Sequence, residues 1–126
     1  MKILIVDDKK NVRTSLSIGL KREGFDVDVA GSAFEAIDKI KVVGYDVMLS
    51  DVRMPDMNGF ELAKEIAKLS PNIRTILMSA YNFKDYEERY DDANHYPKIS
   101  KPFAMSELLN LLPETNQPSR KETATV

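Results

Sequence analysis

Apolar residues along this chain follow two alternating patterns. Ile3-Leu4-Ile5-Val6, Val47-Met48-Leu49 and Ile76-Leu77-Met78 are short continuous runs, the mark of strands buried on both faces. Between them apolar residues recur at helical spacing. Val12, Leu16 and Leu20 form one stripe on a first helix ending near Gly24, where a glycine suits the helix stop. Phe25, Val27 and Val29 alternate with Asp26 and Asp28, so the stretch from Phe25 to Ala30 reads as a half-exposed edge strand. Ser32-Ala33-Phe34-Glu35 has the form of a capping box, in which Ser32 and Glu35 satisfy two orphan amides at a helix start. That second helix carries Ala33, Ile37 and Ile40 and is expected to stop at Gly44. Asn58-Gly59 opens a third, with Leu62, Ile66 and Leu69 on one side and Ser70-Pro71 beyond it. A short strand is expected from Pro97 to Ser100, then a helix from Met105 to Leu112 ended by Pro113. Phe83, Tyr86 and Tyr90, three and four residues apart, predict one more helix, interrupted by Asp91-Asp92-Ala93-Asn94.

Strands alternating with helices predict an α/β fold: a doubly wound five-stranded parallel sheet with helices on both faces. In such sheets ligands bind beyond the carboxyl ends of the strands, where the strand order reverses. The 126 residues fit one domain of ordinary size, expected over 1–113. Residues 114–126 hold two apolar side chains, too few to offset the entropy of ordering, and are expected to be a disordered polar tail. The absence of cysteine excludes disulfides, thiolate metal sites and a cysteine nucleophile. A net charge of −2 with interspersed signs gives no attraction to nucleic acid. The longest apolar run, Ile3 to Val6, is too short to span a membrane. With no signal-like opening, the cytoplasm is the expected address.

Four predicted strands run into polar residues: Asp7-Asp8, Asp51, Ser79 and Lys101-Pro102. In a parallel sheet these ends share one rim. Clustered carboxylates repel one another and favour a hard divalent cation such as Mg²⁺. Asp51 is placed to attack a phosphoryl donor, Lys101 to neutralise the transferred oxygens, and Ser79 to donate a hydrogen bond to them. Each residue alone has a blander reading: Asp8 as a helix cap, Asp7 as a solvated neighbour, Ser79 as a turn hydroxyl, Lys101 as a surface charge. Their common position at successive strand ends weighs against those readings.

The segments Lys2-Ile3-Leu4-Ile5-Val6-Asp7-Asp8, Leu49-Ser50-Asp51-Val52-Arg53-Met54-Pro55-Asp56-Met57-Asn58-Gly59, Ser79-Ala80 and Lys101-Pro102-Phe103 resemble a response-regulator receiver domain. The spacings are 43 residues from Asp8 to Asp51, 28 to Ser79 and 22 to Lys101. The resemblance implies a flavodoxin-like (βα)5 fold and phosphorylation of Asp51 by a sensor histidine kinase or a histidine phosphotransfer protein. It implies Mg²⁺ bound by Asp8, Asp51 and the backbone carbonyl of Arg53, with Asp7 acting through a metal-bound water. Lys101 would pair with the phosphoryl group and Ser79 would turn toward it. Gly59 and Pro55 would shape the loop beside the acceptor, and Arg53 and Tyr81 match positions that tune dephosphorylation. An output protein would be the further partner, with the chain monomeric or dimerising on phosphorylation.

Two features depart from the family pattern. Lys98 stands where an aromatic is usual, with Tyr96 two residues earlier on the same strand face, and Asp92-Ala93-Asn94-His95 replaces a Gly-Ala turn. His95, the one histidine, is read as a surface residue. Three other readings compete: the amino-terminal piece of a longer DNA-binding or enzymatic regulator, a small Mg²⁺-dependent phosphatase, and a degenerate receiver that binds without phosphorylation. The phosphatase needs a second acid near Asp51, and Asp56, five residues on, is poorly placed for it.

Overall fold

A computed structural model describes residues 1–81, 83, 84 and 96–113. The helix expected around Phe83 to Tyr90 falls mostly outside the described residues, as do His95 and the tail 114–126. The elements run β1 (Lys2–Val6), α1 (Lys10–Arg22), β2 (Asp26–Ala30), α2 (Ala33–Val42), β3 (Val47–Asp51), α3 (Gly59–Leu69), β4 (Arg74–Ser79), β5 (Lys98–Ser100) and α4 (Met105–Leu111). All strand pairings are parallel, in the order β2-β1-β3-β4-β5. The order reverses after β1, so the crevice that a doubly wound sheet offers to ligands lies between β1 and β3.

Period-two alternation sorts the strand side chains onto two faces. Ile3, Ile5, Val47, Leu49, Ile76, Met78 and Ile99 pack with Leu16 and Leu20 of α1 and Leu108 and Leu109 of α4. Leu4, Val6 and Met48 pack with Ala33, Ala36 and Ile40 of α2 and Leu62 and Ile66 of α3. Strands covered on both faces account for the continuous apolar runs. Truncating a fully buried member such as Leu4 or Leu49 to alanine should cost about 2–5 kcal/mol. The expected edge strand is β2, with Val27 buried and Asp26 exposed.

Helix ends follow the predicted logic in part. Gly24 stops α1 with φ of 94°, a left-handed conformation that glycine adopts without strain. Ser32 Oγ accepts from the Glu35 amide at 3.1 Å, but the Glu35 carboxylate reaches back to the Gly31 amide at 2.8 Å, one residue before the predicted partner. Gly44 does not act as the stop for α2: the helix ends at Val42 with Val43 as its extended C-cap, and Gly44 has no positive φ. The reciprocal capping box occurs at α3, where Asn58 and Glu61 bond each other's backbone amides.

Candidate functional site

Register places the polar strand ends together. Val6 pairs with Ser50 and Asp51 with Met78, so Asp7 lies level with Asp51 on the neighbouring strand. Ser79 pairs with Ser100, which brings Lys101 one step beyond it, and the Lys101 amide donates to the Ser79 carbonyl at 2.8 Å. Asp7, Asp51 and Lys101 share strand parity with Ile5, Leu49 and Ile99, and therefore the α1/α4 face. Lys101 Nζ contacts Asp7 Oδ2 at 2.8 Å and Asp51 Oδ1 at 3.3 Å. The Lys101–Pro102 peptide is cis.

The two neighbouring acids differ in environment. Asp7 is fully buried, and its other oxygen accepts from the Lys9 amide at 2.9 Å. Asp8 is exposed and lines an open cleft of about 740 Å³ with Asp51, Arg53, Asn58, Tyr81 and Lys101. The bland readings of this pair do not hold: Asp7 is not solvated, and α1 has Lys9 as its N-cap with no side-chain cap bond. Carboxylate oxygens of Asp7, Asp8 and Asp51 lie within 4.8 Å of one another. Burial raises the Asp51 pKa, Lys101 opposes this, and the charges of Asp7 and Asp8 add to the rise. For Lys101, burial acts downward, but its hydrogen bond to Asp7 and the charges of Asp51 and Asp7 outweigh it and raise the pKa. A buried carboxyl whose ionised form is disfavoured, beside two more acids, fits a hard cation held by oxygen atoms.

Ser79 is at its strand end but not in the same cluster. Its parity is that of Leu77, on the opposite face of the sheet, and its Oγ accepts from the Tyr81 amide at 2.9 Å. In this structure it is a turn hydroxyl. The Tyr81 ring carries the Arg53 guanidinium 4.3 Å from its centroid, so the residues two beyond Asp51 and Ser79 stack on each other at the cleft.

The loop from β3 to α3 is fixed by backbone proximity. A Cβ on Gly59 would lie 2.6 Å from the Asp51 carbonyl oxygen, closer than real Cβ atoms approach, and a tight 3.1 Å from Val52 Cα. The Gly59 amide donates to the Val52 carbonyl at 2.9 Å. At the far end of the loop, Asp56 Oδ2 accepts from the Phe34 amide at 3.0 Å, a partner that sequence reading missed. Burial acts to raise the Asp56 pKa, but amides of Phe34, Ala33, Asp56 and Met57 more than offset it and hold the pKa below the usual carboxylate value.

The sequence profile of the response regulator receiver domain matches residues 3–113. The chain belongs to this family. Among similar receiver-containing proteins, the DNA-binding transcriptional regulator NtrC of Bradyrhizobium is 34% identical over 110 residues, which is 87% of this chain but 23% of that protein. The chain thus spans about a quarter of that relative. Sporulation initiation phosphotransferase F of Bacillus subtilis is 32% identical over 107 residues, 85% of this chain and 86% of that protein. Response regulator TrrA of Thermotoga maritima, solved in complex with Mg²⁺-BeF, superposes with a TM-score of 0.77 at 33% identity, covering 86% of this chain and 93% of that one. A CheY-like receiver domain from Methanospirillum hungatei gives 0.83 at 31% identity, covering 96% and 97%. The receiver's five-stranded parallel sheet is therefore the one its sequence predicted. Among the described residues, no helix of the receiver is long and apolar enough to cross a membrane.

Proposed function

We propose that Asp51 of this receiver accepts a phosphoryl group from a phosphohistidine on a sensor histidine kinase or histidine phosphotransfer protein. The observation that carries this reading is the Asp51 carboxylate at the cleft with Lys101 Nζ 3.3 Å away. An Asp51 oxygen attacks phosphorus, the P–N bond breaks, and its electron pair leaves with the imidazole. Asp8, Asp51 and the Arg53 carbonyl would hold Mg²⁺, and Asp7, whose oxygens already serve Lys101 and the Lys9 amide, would reach it through a bound water. When bound, Mg²⁺ supplies charge neutralisation to the phosphoryl oxygens. Lys101, fixed on Asp7, supplies the same from the other side, and burial of Asp51 limits competing water.

Phosphorylation adds about −1.5 to −2 charge, and Ser79 would leave the Tyr81 amide to donate to the new oxygens. Tyr96 packs with Phe83 against Val52, Phe60 and Leu77, which supports it as the aromatic that responds, Lys98 holding the position where the family aromatic is usual. The Arg53–Tyr81 stack would set how readily water reaches the acyl phosphate, and with it the rate of autodephosphorylation. The chain acts as a signalling domain in the cytoplasm, passing its state to an output protein, as a monomer or a phosphorylation-dependent dimer, with 114–126 as a polar tail. Its match to a quarter of NtrC supports a second reading, the receiver of a longer regulator. The phosphatase reading gains no support from Asp56, whose carboxylate accepts from the Phe34 amide of α2.

Asp51→Asn should abolish acid-labile, hydroxylamine-sensitive phosphate incorporation from a phosphohistidine donor. Undiminished labelling of that variant overturns the assignment.

A further inference from the structure

The loop of residues 52–58 carries Arg53, whose carbonyl is assigned to the cation above, and is anchored at both its ends. At the base, the Val52 amide donates to the Met78 carbonyl at 3.0 Å and the Gly59 amide to the Val52 carbonyl at 2.9 Å. Between these points Met54 and Met57 pack against the cluster of Leu4, Val6, Ala30 and Ala33. Methionine contacts are adaptable and fix position loosely. The directional contact at the tip is Asp56, whose carboxylate bonds the Phe34 amide in the first turn of α2. That turn is itself held: Ser32 Oγ accepts from the Glu35 amide and the Glu35 carboxylate from the Gly31 amide, while in the last turn of α2 Lys39 Nζ donates to the Val29 carbonyl of β2. Asp56 therefore ties a loop beside the acceptor to a helix anchored on β2.

We propose that Asp56 is a positioning residue: its bond to α2 fixes the tip of this loop and thereby the placement of Arg53 at the cation site. The proposal rests on the metal reading given above. Several amides converge on its carboxylate, which its depressed pKa reflects, so the tie persists at neutral pH.

The test is an amide NMR titration of the full chain with MgCl₂, together with thermal melts in EDTA. Asp56→Ala should weaken Mg²⁺ binding about threefold or more, short of the roughly 10- to 100-fold typical for losing a hydrogen bond made directly to a metal ligand. It should also shift the Arg53 and Met54 amides before any Mg²⁺ is added. Asp56→Asn, which keeps an acceptor oxygen, should recover most of the affinity. Ser32→Ala removes a different cap from the same helix turn and should lower Tm by a few degrees with Mg²⁺ binding unchanged. Equal Mg²⁺ affinity of wild type and Asp56→Ala overturns the proposal, and so does an equal weakening by Ser32→Ala, which would make the effect a general loosening of α2. A wild-type chain that ignores Mg²⁺ removes the metal reading itself, a failure visible before any variant is compared.

Discussion

Replacing Gly59 with alanine sets two effects of opposite sign against each other. Alanine at a helical position is favoured over glycine by at most about 1 kcal/mol, and less at the first residue of a helix. Against this, the new Cβ would stand 2.6 Å from the Asp51 carbonyl oxygen, 3.1 Å from Val52 Cα and 3.2 Å from Leu77 Cδ2. It falls about 0.4 Å short of the 3.0 Å that real Cβ contacts respect, and the obstruction is backbone of the central strand rather than a side-chain tip. Gly19 offers the contrast, since its added Cβ meets the end of the Met105 side chain, which can swing aside. Overpacking of this kind costs about 1–3 kcal/mol, so Gly59→Ala should be destabilised by about 1–2 kcal/mol net, or roughly 3–10 °C in Tm. The strain falls on the Asp51 peptide, the acceptor proposed above, and displacements approaching 1 Å can slow a reaction about 100-fold. Thermal melts by circular dichroism, paired with phosphorylation rates, test both parts. A Gly59→Ala protein as stable as wild type, or more so, would show that propensity wins and that the close approach is not constraining.

Two further expectations concern the charges. Lys101→Met leaves the fully buried Asp7 carboxylate without its cation and should cost about 3–5 kcal/mol by urea denaturation in EDTA; a loss under about 1 kcal/mol would mean that Asp7 does not depend on Lys101. The Asp51 pKa is raised in the folded state, first by burial, so the folded chain binds this proton more tightly than the unfolded chain. The ionised carboxylate therefore subtracts from metal-free stability as pH climbs from the ordinary value of 3.8 through the raised one. Melts across that window in EDTA should show a stability loss in wild type that Asp51→Asn lacks, and an identical slope in both would refute the assignment of cause.

Much of this was readable from residue order. β1, β3 and β4 announce themselves because strands buried on both faces need unbroken apolar runs, and the acids, hydroxyl and lysine follow those runs directly. Strand parity, present in the same residues, would have separated Ser79 from Asp7, Asp51 and Lys101. The rule that flagged Ser32 and Glu35 applies equally to Asn58 and Glu61, where the reciprocal box is found, whereas Glu35 bonds Gly31 because the reach of a glutamate spans either amide. The Asp56 bond to Phe34 crosses 22 residues and carries no local pattern. Burial of Asp7 beside an exposed Asp8 depends on which face of a turn each occupies, a tertiary outcome that adjacent acids in a sequence do not reveal.

The strand order has a consequence for how the domain opens. β3 is paired on both sides, by β1 and β4, and all five of its residues are buried. Its amides are expected to exchange among the slowest of the described sheet. β5 is three residues long, paired to β4 at the end of the described sheet, and can detach at lower free energy. Among the described strands, the one that ends in Asp51 is thus expected to exchange slowly, and the short one before Lys101 faster. A charge deposited on Asp51 would land on the stationary part of the fold and be felt by the part that breathes.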